Sequence, residues 1–278
     1  MKRIWKPGVA LLLLAALCAA ALSGCGEKAP SEEELAFAAA DLDRVLERGT
    51  LRVGVTVYEP LDYHSEFGEW TGFDAVLARL FARSLDVEVE FVEIDWATRV
   101  ETLKSGAIDC IWNGMTRTKA LEKLIDCSAA YLFNREVIVL PVSQIGRYDA
   151  AEDCYHLLFA VEDGSTAQAL AKELNLRTLV YGSQSEACDA VQKKQCEAAI
   201  VDDLFALQMT GAGKQYDKLC NAFFFGEEEF CVGLRKGSAL TQKVNDFLAF
   251  YKKNGTIASL ADRFGLNRAL QPLETEGG

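Results

Sequence analysis

Residues 51–112 read LRVGVTVYEPLDYHSEFGEWTGFDAVLARLFARSLDVEVEFVEIDWATRVETLKSGAIDCIW, and their periodicity decides the fold class. Leu51–Val57 alternates apolar and polar residues, as a strand does. Thr71-Gly72 then opens a helix that places Phe73, Val76, Leu77, Leu80 and Phe81 on one face. Val87–Val92 is strand-like, Trp96–Lys104 is helical and stops at Ser105-Gly106, and Ile108–Trp112 is again a strand. Strand, helix and strand in this order predict a mostly parallel sheet covered by helices.

A second set follows. Val137–Val142, Leu157–Val161, Leu179–Tyr181, Ala198–Val201 and Phe230–Leu234 read as strands, with helices from Gly164-Ser165-Thr166 to Leu174 and over Ser185–Lys193. Two amphipathic helices close the chain, one carrying Val244, Phe247, Leu248 and Tyr251, the other Ile257, Leu260, Ala261 and Phe264. There is no internal repeat. The expected fold is α/β, two units with a cleft between them. The 278 residues, 50% hydrophobic, suffice for a core in one or two domains. A net charge of -12 without a basic stretch argues against a nucleic-acid partner. The acidic runs Ser31–Glu34 and Glu227–Glu229 read as solvated faces.

The N-terminus reads as a targeting signal. Lys2, Arg3 and Lys6 precede an apolar run, Val9–Leu22, too short for a comfortable membrane span. It ends in Leu22-Ser23-Gly24-Cys25, which resembles a bacterial lipobox and implies lipidation of Cys25 in an extracytoplasmic, membrane-anchored lipoprotein. Residues 1–25 are then the signal and 26–40 a flexible tether. Seven cysteines remain beyond Cys25, without CxxC or His spacing for a metal. Mostly buried free thiols are expected, with room for one or two disulfides, and no metal or other cofactor.

Seven short motifs in order carry a resemblance. They are Gly49-Thr50-Leu51-Arg52-Val53-Gly54, Gly72-Phe73-Asp74, Leu103-Lys104-Ser105-Gly106 with Asp109, and Gly114-Met115-Thr116 with Thr118. Gly164-Ser165-Thr166, Val232-Gly233-Leu234-Arg235-Lys236-Gly237 and Asn254-Gly255-Thr256 complete them. The run is similar to the polar-amino-acid substrate-binding proteins of ABC importers, the family 3 solute-binding proteins. That resemblance implies a two-lobed, periplasmic-binding-protein-like (type II) fold that closes on its ligand. Lobe one is then 41–133 with 229–270, and lobe two 134–228. It implies a monomer that delivers an amino acid or small polar amine to a permease–ATPase complex, without chemistry on the ligand.

The resemblance also places an aromatic, Tyr58, against the ligand, with Trp96 facing it; Trp96 otherwise packs inward at the start of its helix. Asn113, Gly114 and Thr116 lie past the end of a strand, where open α/β sheets bind ligands. Ser165 and Thr166 open a helix, as caps, as ligand contacts, or as both. Asp202 matches the family residue for the ligand ammonium, with Asp203 as fallback. Two departures stand out: Leu121 where the family has a carboxylate-clamping Arg, and the acidic Glu162 where relatives carry an uncharged residue. With Arg117 out of phase to substitute, Glu162, Asp163 and Asp202 predict an acidic cleft suited to a cationic ligand, unless Glu162 points to water. The competing readings are a non-transporting ligand sensor and a dehydratase-like enzyme using Glu162 or Asp202 as general acid.

Overall fold

The computed structural model describes residues 31–272; the apolar run, the lipobox and Cys25 lie outside them. The helices are α1 (Glu32–Ala39), α2 (Asp41–Arg48), α3 (Phe73–Ser84), α4 (Arg99–Lys104), α5 (Leu121–Leu124), α6 (Thr166–Glu173), α7 (Gln184–Gln192), α8 (Asp203–Met209), α9 (Leu240–Lys253) and α10 (Thr256–Arg263). The strands are β1 (Thr50–Val55), β2 (Tyr63–His64), β3 (Trp70–Thr71), β4 (Glu88–Glu93), β5 (Cys110–Thr116), β6 (Ile125–Cys127), β7 (Leu132–Pro141), β8 (Leu158–Glu162), β9 (Arg177–Tyr181), β10 (Ala198–Asp202) and β11 (Leu219–Arg235). β2 and β3 form a small hairpin, and the rest make one sheet in the order β4-β1-β5-β11-β7-β10-β8-β9, with β6 on β11.

Each half of this sheet has a parallel trio, β4-β1-β5 in one and β10-β8-β9 in the other. β7 and β11 run antiparallel through both, from Leu132↔Phe230 to Pro141↔Leu219. This is the two-lobed α/β architecture expected from the strand and helix periods. The register of β7 and β11 slips between Phe224 and Glu227, where one half gives way to the other. Such bulges bend and twist a strand locally.

Burial explains the apolar runs. Along β10, Ala198 and Ile200 pack into one core cluster and Ala199 and Val201 into another, so the strand is covered on both faces. β5 is buried on both faces in the same way, Cys110 and Trp112 on one side, Ile111 and Met115 on the other.

Two expectations need correction. Residues 32–39 are a helix rather than a tether: Ser31 and Glu34 close a reciprocal capping box. The Phe37 ring lies 3.6 Å from the Arg44 guanidinium and 5.5 Å from that of Arg235, and Ala38 is buried. The short strand expected at Phe230–Leu234 is the end of one of 17 residues. The cysteines are mostly buried free thiols, as expected: among the described residues all seven are free and five of them are buried. No helix among these residues is long and apolar enough to cross a membrane.

Candidate functional site

A cavity of about 250 Å³ lies between the two halves. Tyr58, Trp96, Asn113, Gly114, Thr116, Glu162, Ser165, Thr166 and Asp202, singled out from sequence, all line it. Tyr58 follows β1 and meets Phe205 of the opposite half edge-on, with ring centroids 6.1 Å apart. Trp96 both lines the cavity and packs on the cluster around Leu103 and Ile108, so its two readings coexist. Arg99 lies over the Trp96 ring at 4.4 Å and donates to the Trp96 carbonyl at 2.7 Å. At the mouth Gly164, with φ of 70°, touches the other half, because a Cβ there would lie 2.9 Å from the Ala97 Cα. The halves are thus in contact around the cavity.

Several lining side chains are engaged by their own neighbourhood. Asn113 Nδ2 donates to Asp62 at 2.7 Å and to the Thr56 carbonyl at 3.0 Å, while its Oδ1 accepts from Thr56 Oγ1 at 2.6 Å. Gly114 bends the chain at φ of 57° and donates its amide to Asp74 at 2.8 Å. Burial pushes Asp74 up to about 7, against the hydrogen bonds from Tyr131 and Gly114. Ser165 caps α6, accepting from the Gln168 amide at 3.1 Å.

Acidic groups dominate the electrostatics. Asp202 ends β10 and accepts from Asn134 Nδ2 and, at 2.6 Å, from Gln184 Nε2. Glu136 sits opposite it across the β10–β7 pair. Glu228, from β11, accepts from Thr116 Oγ1 at 2.9 Å and from Asn134 at 3.3 Å. Carboxylate oxygens of Glu136, Asp202 and Glu228 lie within 4.8 Å of one another, close enough to share one cation. Burial, with the neighbouring carboxylates, pushes Asp202 up to about 6, Glu228 and Glu162 up to about 8, and Glu136 well above the usual carboxylate range. Glu136 Oε2 and the Tyr58 hydroxyl are buried and complete no hydrogen bond of ordinary geometry.

Glu162 is buried and faces the cavity, whereas Asp163 is exposed and stays out of the lining. Asp203 is also absent from it, being tied to Arg135 at 3.0 Å and to Arg268. Leu121 joins the apolar wall with Val100 and Leu124. Arg117 pairs on the surface with Glu122 at 2.6 Å. Sequence reasoning missed Glu136, Glu228, Asn134, Gln184 and Arg99. Glu228 was hidden in the run Glu227–Glu229, read as a solvated face; the pleat turns it inward between two exposed neighbours. A charged Glu136 directly before the apolar stretch Val137–Leu140 was the available signal.

The family model of the bacterial extracellular solute-binding proteins, family 3, matches residues 51–267. The chain belongs to that family. Among relatives of this solute-binding protein, the L-cystine-binding protein TcyJ of Escherichia coli is 27% identical over 259 residues, 91% of this chain and 94% of the relative. The arginine-binding extracellular protein ArtP of Bacillus subtilis is 26% identical over 264 residues, 91% of this chain and 96% of the relative. The crystal structure of the ancestral amino acid-binding protein AncCDT-1, a precursor of cyclohexadienyl dehydratase, superposes with a TM-score of 0.74 at 30% identity. It covers 80% of this chain and 98% of its own. The two-lobed fold and a solute-binding role follow.

Proposed function

We propose that the chain is an extracytoplasmic substrate-binding lipoprotein, anchored through Cys25, that captures an amino acid or related small polar amine. It hands the ligand to an ABC permease–ATPase complex. The lobes are 41–133 with 229–270 and 134–228, they open and close about β7 and β11, and the unit works as a monomer. The observation that carries this reading is the cavity between the halves, lined from both sides by aromatic and acidic groups. A ligand touching both lobes favours the closed state by its differential affinity. The nine lining residues found from sequence are its binding contacts, Tyr58 and Trp96 as aromatic surfaces and Asp202 as the ammonium acceptor.

A thermal-shift screen of the full chain against amino acids and amines tests the reading. A ligand at about 1,000 times its Kd adds roughly 4 kcal/mol of stability. Silence from the whole set removes the solute-capture reading and favours a sensor that meets a protein partner. One observation favours a second reading, a dehydratase-like enzyme: Glu162, pushed up to about 8, keeps a proton to donate at neutral pH. Turnover of a bound compound, instead of saturable binding without product, would establish it.

A further inference from the structure

We propose that the crossover between the lobes is a site for one divalent metal ion of calcium size, held by the carboxylates of Glu136, Asp202 and Glu228. The inference goes beyond the solute-binding reading above and does not depend on which solute is captured.

Three strands bring the donors together. Glu136 lies on β7, Asp202 at the end of β10 and Glu228 on β11, and their carboxylate oxygens lie within 4.8 Å of one another. A calcium–oxygen bond measures about 2.3–2.6 Å, so donors on opposite sides of one ion stand about 4.6–5.2 Å apart. Magnesium, with bonds of about 2.0–2.1 Å, allows only about 4.2 Å. A donor set made of carboxylates suits a hard cation rather than zinc or copper. No spacing along the chain announces this site, because strand pairing assembles it.

Glu136 is the group that points to an ion. Its side chain is 3% exposed and makes no hydrogen bond of ordinary geometry, and its Oε2 is buried without a partner. A desolvated, unpaired carboxylate is relieved either by a proton or by a metal ion. No Lys or Arg hydrogen-bonds to Glu136, Asp202 or Glu228 among the described residues. The Tyr58 hydroxyl, likewise buried and unpartnered, belongs to the same cavity wall as Glu136 and Asp202.

The surrounding side chains act as an outer shell that orients the carboxylates. Gln184 Nε2 donates to Asp202 Oδ2 at 2.6 Å, and Asn134 Nδ2 donates to Asp202 Oδ1. Each Asp202 oxygen thus keeps a lone pair. On Glu228 the bonds from Thr116 at 2.9 Å and Asn134 at 3.3 Å both fall on Oε2, which leaves Oε1 for the ion. Glu136 and Asp202 also line the cavity of about 250 Å³, which gives the ion a way in. Water there completes a shell of about six to eight oxygens. Asp202 serves either the ion or a solute ammonium, so the test is run without solute.

Calorimetric titration of the EDTA-treated, solute-free full chain with Ca²⁺, and separately with Mg²⁺, tests the site. The expected result is one saturable Ca²⁺ per chain, bound at least about tenfold tighter than Mg²⁺. Glu136→Gln should weaken Ca²⁺ at least about tenfold. Glu229→Gln, at an exposed acid next to Glu228, should leave it unchanged. No saturable Ca²⁺ binding, Mg²⁺ binding as tight as that of Ca²⁺, or binding that Glu136→Gln leaves unaltered each overturns the inference. One Ca²⁺ per chain with no response in the solute screen supports it and removes the solute-capture reading. A solute response without Ca²⁺ binding does the reverse. The stoichiometry and the preference over Mg²⁺ come from the unaltered chain, so the test stands even if Glu136→Gln does not fold.

Discussion

Two groups of buried charge occupy this molecule, one under α1 and α2 and one where β7 and β11 pass between the lobes. In the first, Asp41 is fully buried and accepts from Arg235 Nε at 2.9 Å, Ser238 Oγ at 2.6 Å and Arg44. Arg235 Nη1 donates to the carbonyls of Leu103 at 2.8 Å and Ile108 at 2.5 Å. Asp109 beside them meets Arg48 and the Arg52 amide. Anions and cations alternate, and folding completes the network. In the second group Glu136, Asp202 and Glu228 meet only amides and hydroxyls, and no basic side chain hydrogen-bonds to them. Both groups are desolvated, so the difference lies in what neutralises them. The first holds α1, α2 and β11 together, and the second has no basic hydrogen-bond partner among the described residues.

Among substitutions, breaking the balanced group should have the largest effect. Arg235→Met leaves Asp41 in the core with only Arg44 and Ser238 as partners, and urea unfolding should show a loss of roughly 3–5 kcal/mol. The unbalanced group should show itself in pH dependence. Glu162 and Glu228 are pushed up to about 8 from an ordinary 4.5, so the folded chain holds protons that the unfolded chain releases. Stability without ligand is then full below about pH 4.5 and falls as pH rises through 8, by up to roughly 4–5 kcal/mol for each group. Thermal melts across that window check this, and Glu228→Gln should flatten the decline. A flat profile in the unaltered chain would mean the two groups do not differ in the way described.

Smaller changes sharpen the contrast. Thr116→Val removes a donor to Glu228 and should lower stability by about 1 kcal/mol above the Glu228 pKa, with less effect where that group is protonated. Arg117→Ala breaks an exposed pair with Glu122, side chains 39% and 38% accessible, and should change stability by less than about 0.5 kcal/mol. Its shift in the thermal-shift screen should equal that of the parent chain.

Much of the site was legible residue by residue. Asp202 and Glu162 each follow an apolar strand, and Ser165 stands at a capping position, so local pattern placed them beside the cavity. Glu136 and Glu228 were not legible, since their environment is created by pairing. The β10–β7 register sets Asp202 against Glu136, and the β11–β7 register sets Glu228 against Asn134. Neither register follows from the composition of one strand. The helix at residues 32–39 was legible in part: Ser31 and Glu34 have capping-box spacing, but the contact of the Phe37 ring with Arg235 is a long-range one.

By itself the sequence determined the alternation of strands and helices, the two-lobed family and the aromatic and acidic residue types at the cleft. Periodicity and motif order are properties of neighbouring residues, so one chain suffices to read them. Only the tertiary structure decided which acids are left without a cation. Arg99 and Arg235 look alike along the chain, yet Arg235 neutralises Asp41 while Arg99 lies on Trp96 and leaves the carboxylates of β7, β10 and β11 unneutralised. Charge compensation in a desolvated interior acts over a few ångströms of space, and strand pairing is what brings distant residues within that range.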